Sequence, residues 1–417
     1  MTTTQQGAGV AYLVSRYPAL SHTFIEREIE ALREQGVRVE TFTVRPAPAE
    51  TLLTEHMRIE AATTKTLIGA GKGTWIAAHL GVLRRSPSAW LGALARAVRT
   101  GPLHAKSRLW QVFYFGEAVV LVHHLRKTGI RHIHAHFINV ASDVARLAAD
   151  LGTRLDGPDA GWRWSFTMHG PTGFDAVREA DLAAKGHDAD GVMCISHYCR
   201  SQMMAELAPE DWEKLDLVRM TVDADTYHPP AEPRRNDGPV RILTVGRLVP
   251  EKGPTLLLEA LRLVKDRGVD FEAKLVGSGP LADELATRVR ELELDEVVTL
   301  TGPIGQDRLP DLYRDSDLFV MASFQEGLPV VYMEALATEL PVVATAIAAT
   351  GELVADGVTG RLIPPGDAAA LADAIEDLAR DPEKRARLGR AGREAVLAEF
   401  TSATAGPAAA RFFGQGQ

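Results

Sequence analysis

The stretch LFVMASFQEGLPVVYMEALA, residues 318–337, combines a strand, a tight loop and the start of a helix. Leu318–Met321 has the length and apolar continuity of a buried parallel strand, and Gly327 and Pro329 interrupt the pattern before helix-forming residues resume at Tyr332. A proline near the first helical turn removes no hydrogen-bond donor that the helix needs. The stretch therefore predicts a strand end that leads directly into a helix N-terminus.

Two carboxylates, Glu326 and Glu334, bracket this predicted helix start. The free backbone N–H groups of Gly327 and Leu328 would point out of the helix, where the aligned peptide dipoles favour a phosphate. An ionised glutamate accepts O–H hydrogen bonds at fixed geometry, so both carboxylates suit hydroxyl groups. A phosphate flanked by hydroxyls describes a sugar nucleotide.

The composition sets the broad class of the protein. A chain of 417 residues predicts two domains, and a formal net charge of -9 argues against a general nucleic-acid binder, so no nucleic acid is expected as a partner. Cys194 and Cys199 are the only cysteines, and no signal peptide pattern opens the chain. No run reaches the ~20 apolar residues that span a bilayer. We therefore expect a cytoplasmic protein, with any membrane contact being peripheral.

Short apolar runs alternate with longer helical patterns, which predicts an α/β protein with two parallel sheets covered by helices. The first half has strand candidates at Val10–Ser15, Val37–Val44, His132–Phe137, Trp164–Met168, Gly191–Ser196 and Asp216–Met220. The second half has them at Val240–Gly246, Ala273–Gly277, Val297–Gly302, Leu318–Ala322, Pro341–Thr345 and Gly360–Ile363. A proline-rich polar segment, residues 228–239, resembles a linker. We predict domains at residues 1–235 and 236–395, with residues 396–417 packing back on the first.

Polar and glycine-containing segments follow the predicted strand ends in both halves. Two doubly wound domains that face each other would leave a central cleft at the carboxyl ends of their strands, where such sheets bind ligands. The segments that follow these ends are His169, Gly246-Arg247, Gly277–Pro280, Gly302-Pro303 and Phe324–Pro329. Their shared position indicates a common site.

Arg247 and Lys252 stand five residues apart after a strand that ends in glycine. Arginine offers a bidentate fork and lysine a point charge, a combination that suits a diphosphate leaving group. The alternative is a pair of solvated surface cations. The nearby Gly-Ser-Gly-Pro run at 277–280 serves a phosphate or only the backbone geometry. It lacks the G-x-G-x-x-G spacing of dinucleotide domains.

The histidines of the first half form a second group of candidates. His169 follows a strand and precedes Gly170, which suits either a structural role or the binding of a sugar hydroxyl. His132, His134 and His136 alternate along a strand and so share one face. Without a neighbouring cysteine or carboxylate in the sequence, we predict no metal site there.

Residues 61–115 carry eight lysines and arginines and no aspartate or glutamate. The cations are Lys65, Lys72, Arg84, Arg85, Arg96, Arg99, Lys106 and Arg108. Three tryptophans and many aliphatic residues are interleaved with them. This stretch indicates a surface for anionic lipid heads or a lipid-phosphate acceptor, and the alternative is an ordinary solvated helix face.

These motifs resemble the large GT-B group of glycosyltransferases called family 4, along nearly the whole chain. The most specific parts are 245–253, 275–280, the Glu326/Glu334 pair with 341–345, and 351–360. The opening segment 12–25 and the run His134–Phe137 resemble the branch that makes exopolysaccharides of the colanic acid kind.

The resemblance implies the GT-B fold, two Rossmann-like domains, and retaining transfer of a hexose-type sugar from a nucleotide diphosphate sugar. The donor would be a UDP- or GDP-sugar, no cofactor or obligatory metal is implied, and the acceptor would be a glycan, a lipid-linked molecule or a small molecule. Carried onto this chain, Arg247 and Lys252 bind the diphosphate, and Glu326 holds sugar hydroxyls.

The resemblance also assigns the remaining site residues. Glu334 and Val331 lie near the ribose, Gly327 and Leu328 meet the sugar or phosphate, and Gly302 to Ile304 lie near the base. The glycine at the strand end is Gly246. His169 lies near the reacting sugar, and Ser21, His22 and Thr23 lie where donor phosphate and acceptor approach. No nucleophile is implied, and the usual proposal for such enzymes is attack assisted by the leaving phosphate.

The chain departs from the family pattern at three places. Glu339 and the pair Ala348-Ala349 stand where glycines are common, and the run at 219–223 differs from a His-Cys-Gly-Val-Asp-like pattern. Since a missing glycine removes positive-φ conformations, we expect rearranged loops near residues 221 and 348. Two other hypotheses remain at this point: an epimerase or phosphorylase on the same fold, and a binding module without catalysis.

Overall fold

The computed structural model describes residues 9–19, 22–52, 54–101, 105–170, 174, 177, 180–232 and 238–414. The chain divides into two compact units. The first comprises residues 1–218 and 406–417, and the second comprises residues 219–405.

The first unit is built on a parallel sheet, in which seven strands are described. Their order is β3-β2-β1-β4-β5-β6-β7. The strands are β1 Gly9–Arg16, β2 Arg38–Arg45, β3 Lys65–Thr66, β4 His132–His136, β5 Arg163–Met168, β6 Gly191–Cys194 and β7 Leu215–Leu217. The order reverses between β1 and β4, which is the switch point where open parallel sheets bind ligands.

Helices connect these strands. In the described residues they are α1 Thr23–Glu34, α2 Glu55–Thr63, α3 Lys72–Arg85, α4 Pro87–Arg99, α5 Ala105–Thr128, α6 Val140–Asp156, α7 Leu182–Asp188 and α8 His197–Glu206. Helix α6 shows how the sequence sets their limits: the Asn139 side chain accepts the Ala141 amide at its start, and Gly157 at φ 94° ends it. Gly152 lets the helix approach Trp162, because a Cβ there would lie 2.2 Å from the indole ring.

The second unit contains a parallel sheet whose described strands follow the order β10-β9-β8-β11-β12-β13. They are β8 Val240–Val245, β9 Phe271–Val276, β10 Val298–Gly302, β11 Leu318–Met321, β12 Val342–Thr345 and β13 Gly360–Ile363. The helices are α9 Pro254–Asp266, α10 Ala282–Glu291, α11 Leu309–Arg314, α12 Val330–Ala337, α13 Ala368–Arg380 and α14 Pro382–Glu399. The switch point of this sheet lies between β8 and β11.

The predicted fold class is confirmed, because both sheets are parallel and doubly wound. Each strand expected from an apolar run is present, with limits that differ by at most three residues. The sequence pattern missed β3, which has two residues and therefore no periodicity to detect.

The units meet along the chain at residue 218, earlier than the expected boundary near 235. Residues 219–227 belong to the second unit through specific contacts. Arg219 pairs with Glu352 and lies over the Phe400 ring, and the buried Tyr227 ring packs edge-on against Tyr313. Part of the proposed linker, residues 233–237, lies outside the described residues.

The last helix, α15 Ser402–Gly414, starts in the second unit and ends in the first. Its end packs on the first sheet: the buried Phe413 ring lies 5.2 Å from His132 and 5.8 Å from Tyr12. The Phe413 carbonyl also accepts a hydrogen bond from Arg163. Residues 396–405, which we expected to pack on the first domain, instead belong to the second unit.

The expectation of a rearranged loop near residue 348 is wrong, and Glu339, which also replaces a common glycine, shows the same behaviour. Glu339 has φ 57° and Ala348 has φ 43°, so both non-glycine residues keep the left-handed conformation. Near Ala348 the buried Thr350 hydroxyl fixes the backbone, since it accepts the Ile347 amide and donates to the Thr345 carbonyl. Thr221 has no positive φ, so the third departure requires no glycine.

These conformations predict opposite effects of one substitution at adjacent residues. Ala348→Gly should raise the free energy of unfolding by about 0.5 kcal/mol, because relief of left-handed strain exceeds the entropy gained by the unfolded chain. Ala349 has φ −91° and is buried, so Ala349→Gly should lower it by about 1 kcal/mol. Urea denaturation measures both, and equal destabilisation by the two variants would contradict the strain at Ala348.

Candidate functional site in the second sheet

An ion pair joins two loops at the switch point of the second sheet. Lys252 lies in the loop after β8 and Glu326 in the loop after β11, with 2.6 Å between Nζ and Oε1. The Ser323 hydroxyl donates to the same Oε1 at 2.7 Å. Glu326 is buried, so these two donors offset the desolvation of its charge.

Backbone contacts hold the same two loops together. The amides of Phe324 and Gln325 both point to the Glu251 carbonyl, at 2.8 and 3.2 Å. Gly253 has φ 58°, and a Cβ there would lie 2.0 Å from the Ala322 carbonyl oxygen. The close approach of the loops therefore requires glycine at this position.

The Gly-Ser-Gly-Pro run has a packing role. A Cβ at Gly277, which has φ 148°, would lie 1.8 Å from the Gly246 carbonyl oxygen, and one at Gly279 would lie 2.2 Å from the Leu248 carbonyl oxygen. The Leu248 amide also donates to the Ser278 carbonyl at 2.9 Å. Of the two interpretations offered by the sequence, this geometry favours the structural one.

Donors at this edge remain available for a ligand. Arg247 is exposed, and within the described residues its side chain has no ion pair or hydrogen bond. Helix α12 starts at Val330, two residues before the expected Tyr332, with Pro329 as its N-cap. Over the same described ranges, the amides of Gly327 and Leu328 donate to no protein acceptor. One cation and two amides therefore offer donors to an anion.

The remaining donor-site candidates lie on neighbouring elements. Glu334 is buried in α12 and accepts a hydrogen bond from Tyr313 at 3.0 Å. Val331 is half-buried in the first turn of the same helix. Gly302 ends β10 at φ 72°, and Ile304 follows it as a half-buried residue. Glu334 and Val331 lie on the helix that follows the Glu326 loop, whereas Gly302 and Ile304 follow β10, which β9 separates from β8 in the sheet. The predicted ligand roles of all four residues stay predictions.

The first unit has its own group of polar side chains at its switch point. His22 and Thr23 begin α1 after β1, His169 follows β5, and Ser21 lies outside the described residues. The His169 ring packs at a tilt against two phenylalanine rings, with centroids 4.6 Å from Phe137 and 4.7 Å from Phe24. His22 packs against the same Phe137 ring.

The alternating histidines are buried and hydrogen-bonded. His134 contacts the hydroxyls of Ser165 and Thr167, both at 2.8 Å, and His136 Nδ1 lies 2.9 Å from His169 Nε2. Glu28 of α1 approaches His136, a neighbour that the sequence could not indicate because α1 and β4 are far apart in the chain. One ligand atom each from Glu28, His134 and His136 lies within 4.8 Å of the others. Both nitrogens of His134 already face hydroxyls, which disfavours a metal ion there.

The basic stretch 61–115 forms helices α3, α4 and part of α5. Three of its cations are used inside the first unit, because Lys65 pairs with Glu40, Arg85 with Asp156, and Arg96 with Asp150 and Asp188. Several large apolar side chains are exposed on the same helices: Ile76, Leu80, Leu91, Leu109, Trp110, Val112 and Phe113. We call these seven residues the apolar surface.

Residues 229–395 match the family model described as "Glycosyl transferases group 1". The second unit of this chain therefore carries a group 1 glycosyltransferase domain. The chain is 26% identical over 422 residues to the putative colanic acid biosynthesis glycosyltransferase WcaL of Escherichia coli K12, which covers 94% of this chain and 96% of the relative. The resemblance to the exopolysaccharide branch, which the sequence suggested, is therefore confirmed.

A second relative is more similar over a shorter region. Our chain is 33% identical over 245 residues to a GDP-mannose-dependent alpha-(1-6)-phosphatidylinositol monomannoside mannosyltransferase of Mycolicibacterium smegmatis. The match spans 55% of this chain and 63% of that relative. Among solved structures, Anabaena Alr3699/HepE in complex with UDP has a TM-score of 0.72 at 16% identity, over 98% of this chain and 99% of the other. That likeness shows the GT-B fold.

The buried histidines of this glycosyltransferase predict a loss of stability in acid. Burial lowers the pKa of His132 to about 3, with Arg163 as a second cause. Below about pH 6.5, His132 is therefore protonated in the unfolded chain but stays neutral in the folded chain. The free energy of unfolding falls as the pH falls from about 6.5 towards 3. For His132 alone, the free energy of unfolding at pH 5 should be lower than at pH 7 by about 2 kcal/mol.

His132→Gln, which can still bond to Ser165, should remove that contribution. Urea denaturation at pH 7 and pH 5 measures it: the drop in unfolding free energy between the two should be smaller in the variant. The exposed His228→Gln serves as the matched control and should leave the drop unchanged. An identical drop in the parent and in His132→Gln would show that His132 titrates normally.

Proposed function

We propose that this protein transfers a hexose-type sugar from a UDP- or GDP-sugar to an acceptor hydroxyl, with retention of anomeric configuration and without an obligatory metal. The observation that carries the proposal is the set of donors at the switch point of the second sheet. An exposed Arg247 and the free amides of Gly327 and Leu328 offer positive charge, and the Lys252–Glu326 pair lies beside them. This arrangement suits a diphosphate next to hydroxyl groups.

The chemistry follows from where negative charge develops. The bond between the sugar C1 and the diphosphate oxygen breaks, and the departing oxygen gains charge that Arg247 and the amides stabilise. The acceptor oxygen forms a bond to C1 on the face that the diphosphate leaves, and its proton passes to a phosphate oxygen. Glu326 already accepts two hydrogen bonds on Oε1, so it is suited to hold sugar hydroxyls through Oε2.

The names of relatives support the donor class. The mycobacterial relative is GDP-mannose-dependent, and the HepE structure contains UDP. One relative is named for a phosphatidylinositol monomannoside and another for colanic acid biosynthesis. For this chain we propose a glycan or lipid-linked acceptor, ahead of a small molecule.

We also propose that the first unit contacts the inner face of the plasma membrane through the apolar surface. Trp110 and Phe113 on α5 are 42% and 54% exposed. Exposure of two neighbouring aromatic side chains to water is unfavourable, so this patch indicates a contact surface. Arg108 and Lys106 on the same helix are exposed, and no ion pair involves them in the described residues. Cations next to exposed aromatic residues favour an anionic lipid surface. No helix in the described part of the chain has the length and apolarity that a membrane crossing requires.

Arg247→Ala should weaken the binding of UDP or GDP by roughly 10-fold to 100-fold, since it removes a charge-assisted contact worth about 1.5–3 kcal/mol. Isothermal titration calorimetry with both nucleotides in EDTA buffer measures the effect. Arg390→Ala, at an exposed arginine on α14, is the matched control and should bind like the parent protein.

Lys252→Ala is a poorer first test, because it leaves Glu326 buried without its cation and should cost about 3 kcal/mol of stability. The donor proposal fails if the parent binds neither nucleotide, or if Arg247→Ala binds as tightly as the parent. Sugar transfer that stops in EDTA and returns with Mg²⁺ would contradict the metal-free reaction.

The double variant Trp110→Ser/Phe113→Ser should lose most of its binding to vesicles that contain phosphatidylserine, because it removes the two aromatic side chains that would enter the lipid interface. Co-sedimentation at 0.1 M salt measures bound protein. The control is Val358→Ser/Leu397→Ser, which removes two exposed apolar residues from the second unit. A parent protein that ignores anionic vesicles, or equal losses in both double variants, would contradict the membrane contact.

A further inference from the structure

A row of buried and half-buried polar side chains leads from the interior of the first unit to His169. The Tyr12 hydroxyl of β1 donates to Glu28 Oε1 of α1, and the same oxygen lies 3.7 Å from His136 Nε2 of β4. His136 Nδ1 then lies 2.9 Å from His169 Nε2, and the two rings stack with centroids 5.2 Å apart. Four side chains from different elements therefore lie in one row, with hydrogen bonds at its two ends and a 3.7 Å separation between Glu28 and His136.

Both histidines of the row carry a single proton. Burial lowers the pKa of His169 to about 3, with His22 adding to the effect, and lowers the pKa of His136 well below its usual value. Each ring at neutral pH thus has one N–H and one lone pair, and the position of the proton is decided by the neighbours. Burial also raises the pKa of Glu28 to about 7, while the Tyr12 hydrogen bond lowers it.

The neighbours favour one arrangement of these protons. His136 Nε2 is buried and has no hydrogen-bond partner in the described residues, and its 3.7 Å distance to Glu28 Oε1 is too long for a hydrogen bond. The nearby carboxylate oxygen still favours a proton on Nε2 electrostatically, because a lone pair there would face another lone pair. His136 Nδ1 is then an acceptor, and it requires the proton of His169 on Nε2. His169 Nδ1, which is buried and without a hydrogen-bond partner in the described residues, is left with its lone pair.

We propose that Glu28 and His136 are positioning residues that fix His169 in its Nε2–H form, so that Nδ1 accepts a hydrogen bond from a hydroxyl group of the sugar substrate. The identification of the ligand as a sugar rests on the proposed function, whereas the positions of the protons do not. A hydroxyl is the fitting ligand class because it brings the donor that an unprotonated imidazole nitrogen lacks. The effect on catalysis is orientation, and no proton leaves the row.

Histidine ¹⁵N NMR of the full-length protein at pH 7 tests the proton arrangement without any substrate. The signals of His136 and His169, assigned by their loss in His136→Asn and His169→Asn, should both show the proton on Nε2. In Glu28→Leu, which removes the acceptor oxygen, His169 should appear partly or wholly in its Nδ1–H form. Glu34→Leu, on an exposed carboxylate of the same helix, should leave both signals unchanged.

Transfer kinetics test the consequence for the substrate. Glu28→Leu should lower kcat roughly 10-fold to 100-fold, a range seen when a residue that orients another side chain is lost. Glu28→Gln keeps an acceptor oxygen and should restore most of the rate. The KM for the donor should change little in both, because Arg247 and Lys252 lie in the second unit.

The outcomes separate this inference from the proposed function. A proton on His169 Nδ1 in the unaltered protein would contradict the proposed proton arrangement. One equivalent of zinc retained by the purified protein would also contradict it, because it would indicate a metal site at Glu28, His134 and His136. A protein that binds no nucleotide but shows both Nε2–H forms would contradict the proposed function and leave the proton arrangement standing.

Discussion

The ion pair between Lys252 and Glu326 is the contact on which the site of the second unit depends. A buried carboxylate is costly unless it is paired, and here one lysine and one serine meet the same oxygen. The pair also ties the loop after β8 to the loop after β11, and the Glu251 carbonyl reinforces this connection through two amides. Lys252 is occupied in this way, whereas the exposed Arg247 can turn towards a ligand.

Much of the fold could be predicted because parallel strands that are buried on both faces are apolar runs, which remain visible in a single sequence. Each expected strand of the second sheet is present, and the polar residues expected at strand ends lie there. The role of Gly277 and Gly279 could not be predicted, since it depends on carbonyl oxygens of another loop. Glu28 was missed for a similar reason, because only the folded sheet brings α1 beside β4.

The left-handed residues show where reasoning from residue types fails. Glu339 and Ala348 replace glycines of the family pattern, yet both keep positive φ. At Glu339 close packing restricts the backbone, because a Cβ added to Gly389 of α14 would lie 2.1 Å from the Glu339 carbonyl oxygen. Tertiary packing holds the backbone and tolerates the local strain. The lost glycines therefore give no support to a degenerate binding module.

Gly302 differs from the other glycines of this edge in a way that bears on how the protein could diverge. Added Cβ atoms at Gly253, Gly277 or Gly279 would collide with backbone atoms, so selection has almost no freedom there. At Gly302 no described atom lies within 4 Å of an added Cβ, and the positive φ, 72°, is one that asparagine or aspartate also adopts. The turn after β10 is thus the part of this edge where new side chains can be sampled without dismantling the framework. With the predicted position of Gly302 and Ile304 beside the base, changes of nucleotide preference among related chains would be accessible there in single steps.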